Sequence, residues 1–172
     1  AAYLLEGDST KYRPVDVQTF TKNLLTELQE KASYIQTHAP EKLTQTDGYI
    51  TIIGTRNIQN KLLEMIKETR LRLYISASSR IIDAYEEELG ELLNQGKKIV
   101  IMTDSNYDLD GAIVYHTDPE PGQLRVIIDS TYVMTGELTG SDDDSCLYSG
   151  QKNLVTIMKE ALKNKIVLLS QE

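Results

Sequence analysis

The fold is decided by the stretch from Tyr49 to Thr103, which begins YITIIGTRNIQNKLLEMIKETRLRLYISA (49–77). Its first strand is the apolar run Tyr49–Ile53, and an amphipathic helix starting at Asn57 leads to a second, alternating strand at Arg72–Ala77. A helix over Ile81–Gln95 is stopped by glycine, and KIVIMT (98–103) is a third strand with the apolar character of a buried parallel position. This β-α-β-α-β order predicts a parallel sheet core with helical crossovers.

The residues after this core add strands of the other direction. Gln123–Asp129 and Tyr132–Glu137 flank a short turn and read as an antiparallel hairpin. Ala112–Tyr115 and Cys146–Ser149 are further short strands, and Lys152–Lys165 is a closing amphipathic helix. The expected fold class is therefore α/β, with a mixed sheet flanked by helices.

A long helix precedes the sheet pattern. Residues 1–13 read as a small β-hairpin; Asp16 can cap the following helix, and Pro40 ends it. One apolar stripe runs along this helix, in spacings of three and four residues: Val17, Phe20, Leu24, Leu28, Ala32 and Ile35. The narrow stripe favours a coiled-coil-like dimer helix; the alternative is a helix that packs on its own domain.

Composition excludes several classes of protein. The 172 residues carry a net charge of −8, with a single cysteine, Cys146, and two histidines. One thiol rules out an internal disulfide framework and a multi-thiolate zinc site. Residues 1–46 hold five basic and six acidic residues, and 47–172 hold thirteen and twenty. Neither segment offers the basic face that nucleic acid or an anionic membrane surface requires, and no apolar run is long enough to span a membrane.

Three motifs together resemble the TrmB-like family of transcriptional regulators. They are KYRPVDVQTFTKNLLTEL (11–28), DGYITIIGTRNIQNKLLEMIKETRLRLYISASS (47–79) and NQGKKIVIMT (94–103). The resemblance implies that residues 1–13 are the end of a winged-helix wing, 14–46 a linker and dimerisation helix, and 47–172 an effector-binding domain. It also implies a cytoplasmic homodimer that senses a sugar or sugar derivative and contacts DNA only through an N-terminal winged helix missing from this chain.

The effector domain of that family is similar in fold to half a phospholipase D, whose enzymes carry His-x-Lys, four further residues, Asp, and a Gly seven positions later. Asp129 and Gly136 stand at that separation, but Gly122 and Leu124 occupy the His and Lys positions. Transfer of this type needs an imidazole nucleophile and a cation on the phosphate. The resemblance therefore implies the fold without the activity. His116, six positions from Gly122, is a poor substitute.

Candidate ligand residues follow the first two strands, because ligands of open α/β sheets bind outside the carboxyl ends of the strands. Hydroxyls, free amide groups at helix N-termini and two Arg side chains suit a sugar, a sugar phosphate or a carboxylate. The alternative is ordinary helix capping. The set is Gly54, Thr55, Arg56, Asn57, Ser76, Ser78, Ser79 and Arg80, with Asp129 expected in the same cleft by family analogy. The alternative for Asp129 is an aspartate of the hairpin turn.

The remaining polar clusters carry weaker hypotheses. Asn106, Asp108 and Asp110 resemble half a calcium loop, but the bidentate Glu is missing and a strand precedes the loop. The run 142–144 reads as a solvated acidic loop, and Cys146 as a buried hydrophobe.

The sequence thus predicts a non-enzymatic sensor without a cofactor. A phospholipase D-like hydrolase or phosphotransferase, or a pure dimerisation module, are the alternatives.

Overall fold

The computed structural model describes residues 2–5, 11–40, 48–104 and 107–169. The chain divides into two compact units, residues 1–44 and 45–172. In the first unit, β1 (Ala2–Leu5) pairs antiparallel with β2 (Lys11–Pro14), and α1 (Val17–His38) follows. The expected turn of the hairpin lies outside the described residues.

Helix α1 begins as the sequence predicts. The Asp16 carboxylate accepts a hydrogen bond from the Thr19 amide at 2.8 Å, which satisfies one of the unpaired amides of the first turn. The helix is 22 residues long and ends at His38, one residue before the Ala39 cap. None of its residues is buried.

The described residues of the second unit form seven strands and four helices. Its strands are β3 (Tyr49–Ile53), β4 (Arg72–Ser76), β5 (Lys98–Thr103), β6 (Ile113–His116), β7 (Gln123–Ile128), β8 (Tyr132–Glu137) and β9 (Ser145–Ser149). Its helices are α2 (Thr55–Glu68), α3 (Ser79–Asp83), α4 (Glu86–Asn94) and α5 (Lys152–Leu169).

The seven strands form one mixed sheet in the order β3-β9-β8-β7-β4-β5-β6. Strands β4, β5 and β6 are parallel neighbours, while β7, β8 and β9 are antiparallel to their neighbours. A simple β-α-β unit would place β3 next to β4, but in this sheet the two strands are not neighbours. Strand β3 pairs with β9 at the far edge, where its mostly exposed side chains suit an edge strand.

This topology defines two edges of the sheet. Strands β3, β4, β5 and β8 all end at one edge, where β7 and β9 begin; we call it the upper edge. The β7–β8 turn lies at the opposite, lower edge, beside the start of β4.

The two faces of the sheet are packed unequally. One face carries the main core, built from α2, α3, α4 and the strands. The other face meets α5 through a small cluster around Ile127, Val133 and Val155. The fully buried residues of the main core include Ile58, Leu62, Met65, Ile66, Leu73, Ile82, Leu89, Ile101, Leu124 and Met134.

Two of the differences from the predicted element boundaries have a clear backbone cause. Helix α2 begins at Thr55 rather than Asn57, because Gly54 with φ of +90° turns the chain directly into it. The single helix expected over 81–95 is broken into α3 and α4, because Tyr85, with φ of −126°, leaves the helical range and buries its ring in the core.

Candidate functional site

A cleft of about 350 Å³ opens at the upper edge of the sheet. It lies between the starts of α2 and α3, the loop before β7 and the loop after β8. The polar lining and its neighbours are Thr55, Gln59, Ser78, Arg80, Tyr85, Gly122, Thr139 and Gly140. Three predicted ligand residues, Thr55, Ser78 and Arg80, therefore line one cleft.

The hydroxyls of this cleft do not serve as ordinary helix caps. Ser78 is the N-cap residue of α3, yet its side chain makes no capping hydrogen bond, and Gly54 caps α2 without a side chain. Thr55 Oγ1 instead donates to the Ser141 carbonyl at 2.7 Å and approaches Asp144 Oδ2 at 2.9 Å. The Arg80 side chain is exposed and available to a ligand.

Asp144 is hydrogen-bonded to three residues of the cleft, Thr55, Thr139 and Gly140. The sequence prediction of a solvated acidic loop missed this role. Asp144 is only 4% exposed, and its carboxylate accepts hydrogen bonds from the amides of Thr139 and Gly140, both at 2.9 Å. Desolvation raises its pKa, but the Thr139 hydroxyl, these two amides and the Thr55 hydroxyl outweigh that effect and lower the pKa to about 2. Asp144 therefore stays ionised and fixes the β8–β9 loop.

Gly122, which the sequence resemblance aligns with the His of the phospholipase D pattern, lines this cleft. Gly122 has φ of +73°, and a Cβ there would lie 2.5 Å from Thr139 Cγ2. Leu124, at the Lys position, is fully buried in the main core. Neither position offers a nucleophile or a cation to the cleft.

His116 is far from these positions. It lies on β6, three strands from β7, which at about 4.8 Å per strand places it roughly 14 Å away. Its Nδ1 lies 3.4 Å from the Asp104 carbonyl oxygen.

Asp129 does not face the cleft, so that expectation is corrected. It lies at the lower edge, because β7 runs antiparallel to β4 and ends where β4 begins. Its carboxylate accepts hydrogen bonds from the amides of Arg70, Leu71 and Arg72 at 2.8–2.9 Å. Desolvation raises its pKa, but these amides and the Lys97 charge outweigh that effect, so the pKa is lowered. Asp129 ties the turn to the start of β4.

The other predicted ligand residues are dispersed. The Asn57 amide donates to the Ile53 carbonyl at 2.9 Å, and the Ser79 backbone amide donates to Asp104 Oδ2 at 3.2 Å. Arg56 is exposed but is absent from the cleft lining. Ser76 lies on the other face of the sheet, toward α5.

The weaker hypotheses fare as follows. Asn106 lies outside the described residues, and Asp108 and Asp110 are exposed. Within the described ranges, no three His, Cys, Asp or Glu side chains cluster as metal ligands. Cys146 is buried, as predicted, and desolvation raises its pKa to about 11, which keeps the thiol protonated and unreactive.

Tyr85 and Thr139 are among the cleft residues that lay outside the predicted set. Tyr85 lines the wall, and its hydroxyl lies 3.4 Å from the Gln59 carbonyl, to which it donates. Thr139 forms the floor beside Gly122. In the sequence, Gly140, which follows a predicted strand, is the residue that could have indicated a sharp loop next to Thr139.

Comparison with solved structures identifies the fold. TrmBL2, described as an archaeal chromatin protein with a novel mode of DNA binding, matches with a TM-score of 0.58 and 18% identity, covering 95% of this chain and 74% of that chain. NucT from Helicobacter pylori matches at 0.55 and 16%, covering 68% and 94%. Nuc from Salmonella typhimurium, a phospholipase D family member, matches at 0.50 and 13%, covering 68% and 93%.

The fold is phospholipase D-like, as the sequence predicts, with α1 ahead of the sheet. No protein-family model and no curated protein matches the sequence. Across the described ranges, no helix is both long enough and apolar enough to cross a bilayer.

Proposed function

We propose that this chain is the ligand-sensing and dimerisation part of a transcriptional regulator, and that it binds an effector without transforming it. One observation carries the proposal. The phospholipase D-like scaffold has a bare glycine and a core leucine, Gly122 and Leu124, at the positions of the reacting His and Lys. A scaffold that has an open cleft but lacks the reacting pair can bind a ligand without converting it and so act as a sensor of that ligand.

The lining of the cleft favours a hydroxyl-rich ligand. Ser78 presents a hydroxyl without a capping bond, Arg80 offers a planar set of donors, and Tyr85 provides an aromatic wall. A volume of about 350 Å³ lies at the small end of ligand pockets. This combination suits a monosaccharide or a sugar phosphate.

Helix α1 supports the dimer. Val17, Phe20, Leu24, Leu28 and Ile35 lie along it with exposed fractions of 45–78%. Such a stripe stays in water unless another helix covers it, and an antiparallel or parallel copy of α1 is the partner that its spacing of three and four residues fits. The homodimer belongs to the proposal.

Regulation follows from differential binding. An effector shifts an equilibrium only by its difference in affinity for the two arrangements. We propose that the cleft binds its effector better in one arrangement of the dimer, and that α1 passes this preference to a DNA-binding domain. The likeness to a DNA-binding chromatin protein supports a role at DNA.

The effector is tested by thermal denaturation with a panel of sugars and sugar phosphates. A ligand at 100 times its Kd stabilises the folded state by about 2.7 kcal/mol, so a binding sugar raises the Tm. Arg80→Gln should remove the shift, and Arg56→Gln, an exposed arginine outside the cleft lining, should keep it. No shift with any compound contradicts a sugar effector.

The dimer is tested separately by sedimentation. The wild-type chain should sediment as a dimer, and Leu24→Glu with Leu28→Glu on the exposed stripe should give monomers. A monomeric wild-type chain at high concentration contradicts the role of α1.

A further inference from the structure

A second cavity lies on the opposite face of the sheet, between the strands and α5. Its volume is about 210 Å³. An apolar cavity of about 150 Å³ holds benzene, so this one has room for a six-membered ring with a small substituent. The cavity belongs to the weakly packed face, where α5 meets only a small apolar cluster.

One end of the cavity is a polar row across three strands. Ser76, Arg125 and Thr135 are direct register partners on β4, β7 and β8. Partners in an antiparallel register project to the same face, about 4.5–5.5 Å apart between Cβ atoms. All three line the cavity, as does Lys165 of α5.

Ser76 shows that this end is built for a polar group. It is only 2% exposed, and its Oγ has no hydrogen-bond partner. An unpaired buried hydroxyl costs free energy, and a ligand oxygen in the cavity would remove that cost.

Arg125, an exposed residue that lines the cavity, supplies a positive charge at the same end. Within the part of the chain that the structure describes, no ion pair to it is formed. When the Gln123 amide is turned so that its oxygen faces the guanidinium, that oxygen lies 2.6 Å from Nη2. A neutral partner thus positions Arg125 without neutralising it.

The other walls are apolar. Tyr74 and Ile127 are register partners one row below the polar end, and Met158 and Leu162 of α5 close the cavity above them. We infer that this cavity binds a small apolar monocarboxylate, with the carboxylate at Ser76 and Arg125 and the hydrocarbon body against α5. This site is distinct from the sugar cleft, and the inference goes beyond the function proposed above.

The test is calorimetric titration of the full chain with benzoate and with benzamide, its neutral counterpart of the same shape. Benzoate should bind, and benzamide should bind at least about tenfold more weakly, because hydrogen bonds to charged groups contribute the most. Equal affinity of the two, or no binding of benzoate up to its solubility, overturns the inference.

Variants locate the site. Arg125→Gln should weaken benzoate about tenfold or more and Ser76→Ala by a smaller factor, while Ala161→Phe should fill the cavity and abolish binding. Arg72→Gln, an exposed arginine on β4 outside the cavity lining, is the matched control and should leave affinity unchanged. Circular dichroism confirms that each variant is folded. Unchanged affinity in both folded Arg125→Gln and folded Ala161→Phe places benzoate elsewhere and overturns the inference.

The two proposals fail separately. The Arg80→Gln variant should lose the sugar-induced Tm shift and keep its affinity for benzoate. Failure of every sugar together with tight benzoate binding removes the sugar effector and keeps the α5 cavity; the reverse result removes the α5 cavity alone.

Discussion

The two ends of the β7–β8 hairpin differ in how many residues of the phospholipase D-type sequence pattern they keep. At the turn, Asp129 is present and accepts hydrogen bonds from three consecutive backbone amides. At the open end, the residues aligned with the His and Lys of the pattern are Gly122, which lacks a side chain, and Leu124, which is fully buried. The aspartate of the pattern is a structural residue here, so its presence says nothing about activity.

The largest effect is expected from restoring the cation at the open end. Leu124→Lys places a charge among Ile75, Met134 and their neighbours in the main core, and an unpaired buried charge costs about 4–5 kcal/mol or more. Leu124→Met should cost less than about 1.5 kcal/mol. Urea denaturation measures both; a Leu124→Lys variant as stable as wild type would show that the position is open to the cleft.

Gly136 tests the close approach of β8 and β9. A Cβ at this position would lie 2.2 Å from the Ser145 carbonyl oxygen and 2.5 Å from Cys146 Cα, both backbone atoms that cannot turn aside. Gly136→Ala should therefore destabilise by about 3 kcal/mol. Gly90→Ala, in α4 with nothing within 4 Å of its Cβ, should be neutral or stabilise by up to about 1 kcal/mol. Equal stabilities of the two variants would contradict this packing.

Asp129 tests the turn end. Asp129→Ala removes the acceptor for three amides and places alanine at φ of +50°, so a loss of about 1–3 kcal/mol is expected. Asp129→Asn keeps an acceptor oxygen and tolerates that φ better, and its loss should be intermediate. Denaturant midpoints measure both; a stable Asp129→Ala variant with altered ligand binding would reverse the structural assignment.

Acid stability tests Asp144 at the back of the cleft. Its pKa is about 2 in the folded chain, below the ordinary value of about 3.9. Its contribution is therefore fully present above pH 4 and is lost as the pH falls from about 4 to 2. The Tm of Asp144→Asn should fall less steeply than that of wild type over this range, and Asp142→Asn, an exposed neighbour, should follow wild type.

The smallest effect is expected at Gly122. A Cβ there meets Thr139 Cγ2, on an exposed side chain whose hydroxyl is hydrogen-bonded to Asp144, and φ of +73° adds strain. Gly122→Ala should cost about 1 kcal/mol. Gly140→Ala has a positive φ but open space, so the difference between the two variants isolates the contact with Thr139. A Gly122→Ala variant no less stable than Gly140→Ala would mean that the contact is absent.

Local patterns could be predicted from the sequence. Alternation and capping located α1, β5 and the β7–β8 hairpin to within a residue, because each depends on nearby side chains. The separation of β3 from β4 was not predictable, since strand order depends on which edges pair, and the partners of β3 and β9 are 92 to 100 residues apart. The burial of Asp144 was not predictable either, because one of its hydrogen-bond partners, Thr55, is 89 positions away and a run of three aspartates has the composition of a solvated loop.

The predicted ligand set divides for the same reason. Thr55 and Ser78 line the same cleft because both follow strands that end at the upper edge. Ser76 was grouped with Ser78, but it faces α5 because alternate residues of a strand point to opposite faces. Asp129 was placed in the cleft by analogy, and the antiparallel direction of β7 carries it to the other edge.

The most direct test of a cleft that binds without reacting is a phosphodiesterase assay of the purified chain with bis(p-nitrophenyl) phosphate. We expect no p-nitrophenolate release above the buffer rate, because neither Gly122 nor Leu124 supplies a nucleophile or a cation. Turnover that co-purifies with the chain and is lost in folded Arg80→Gln would contradict it.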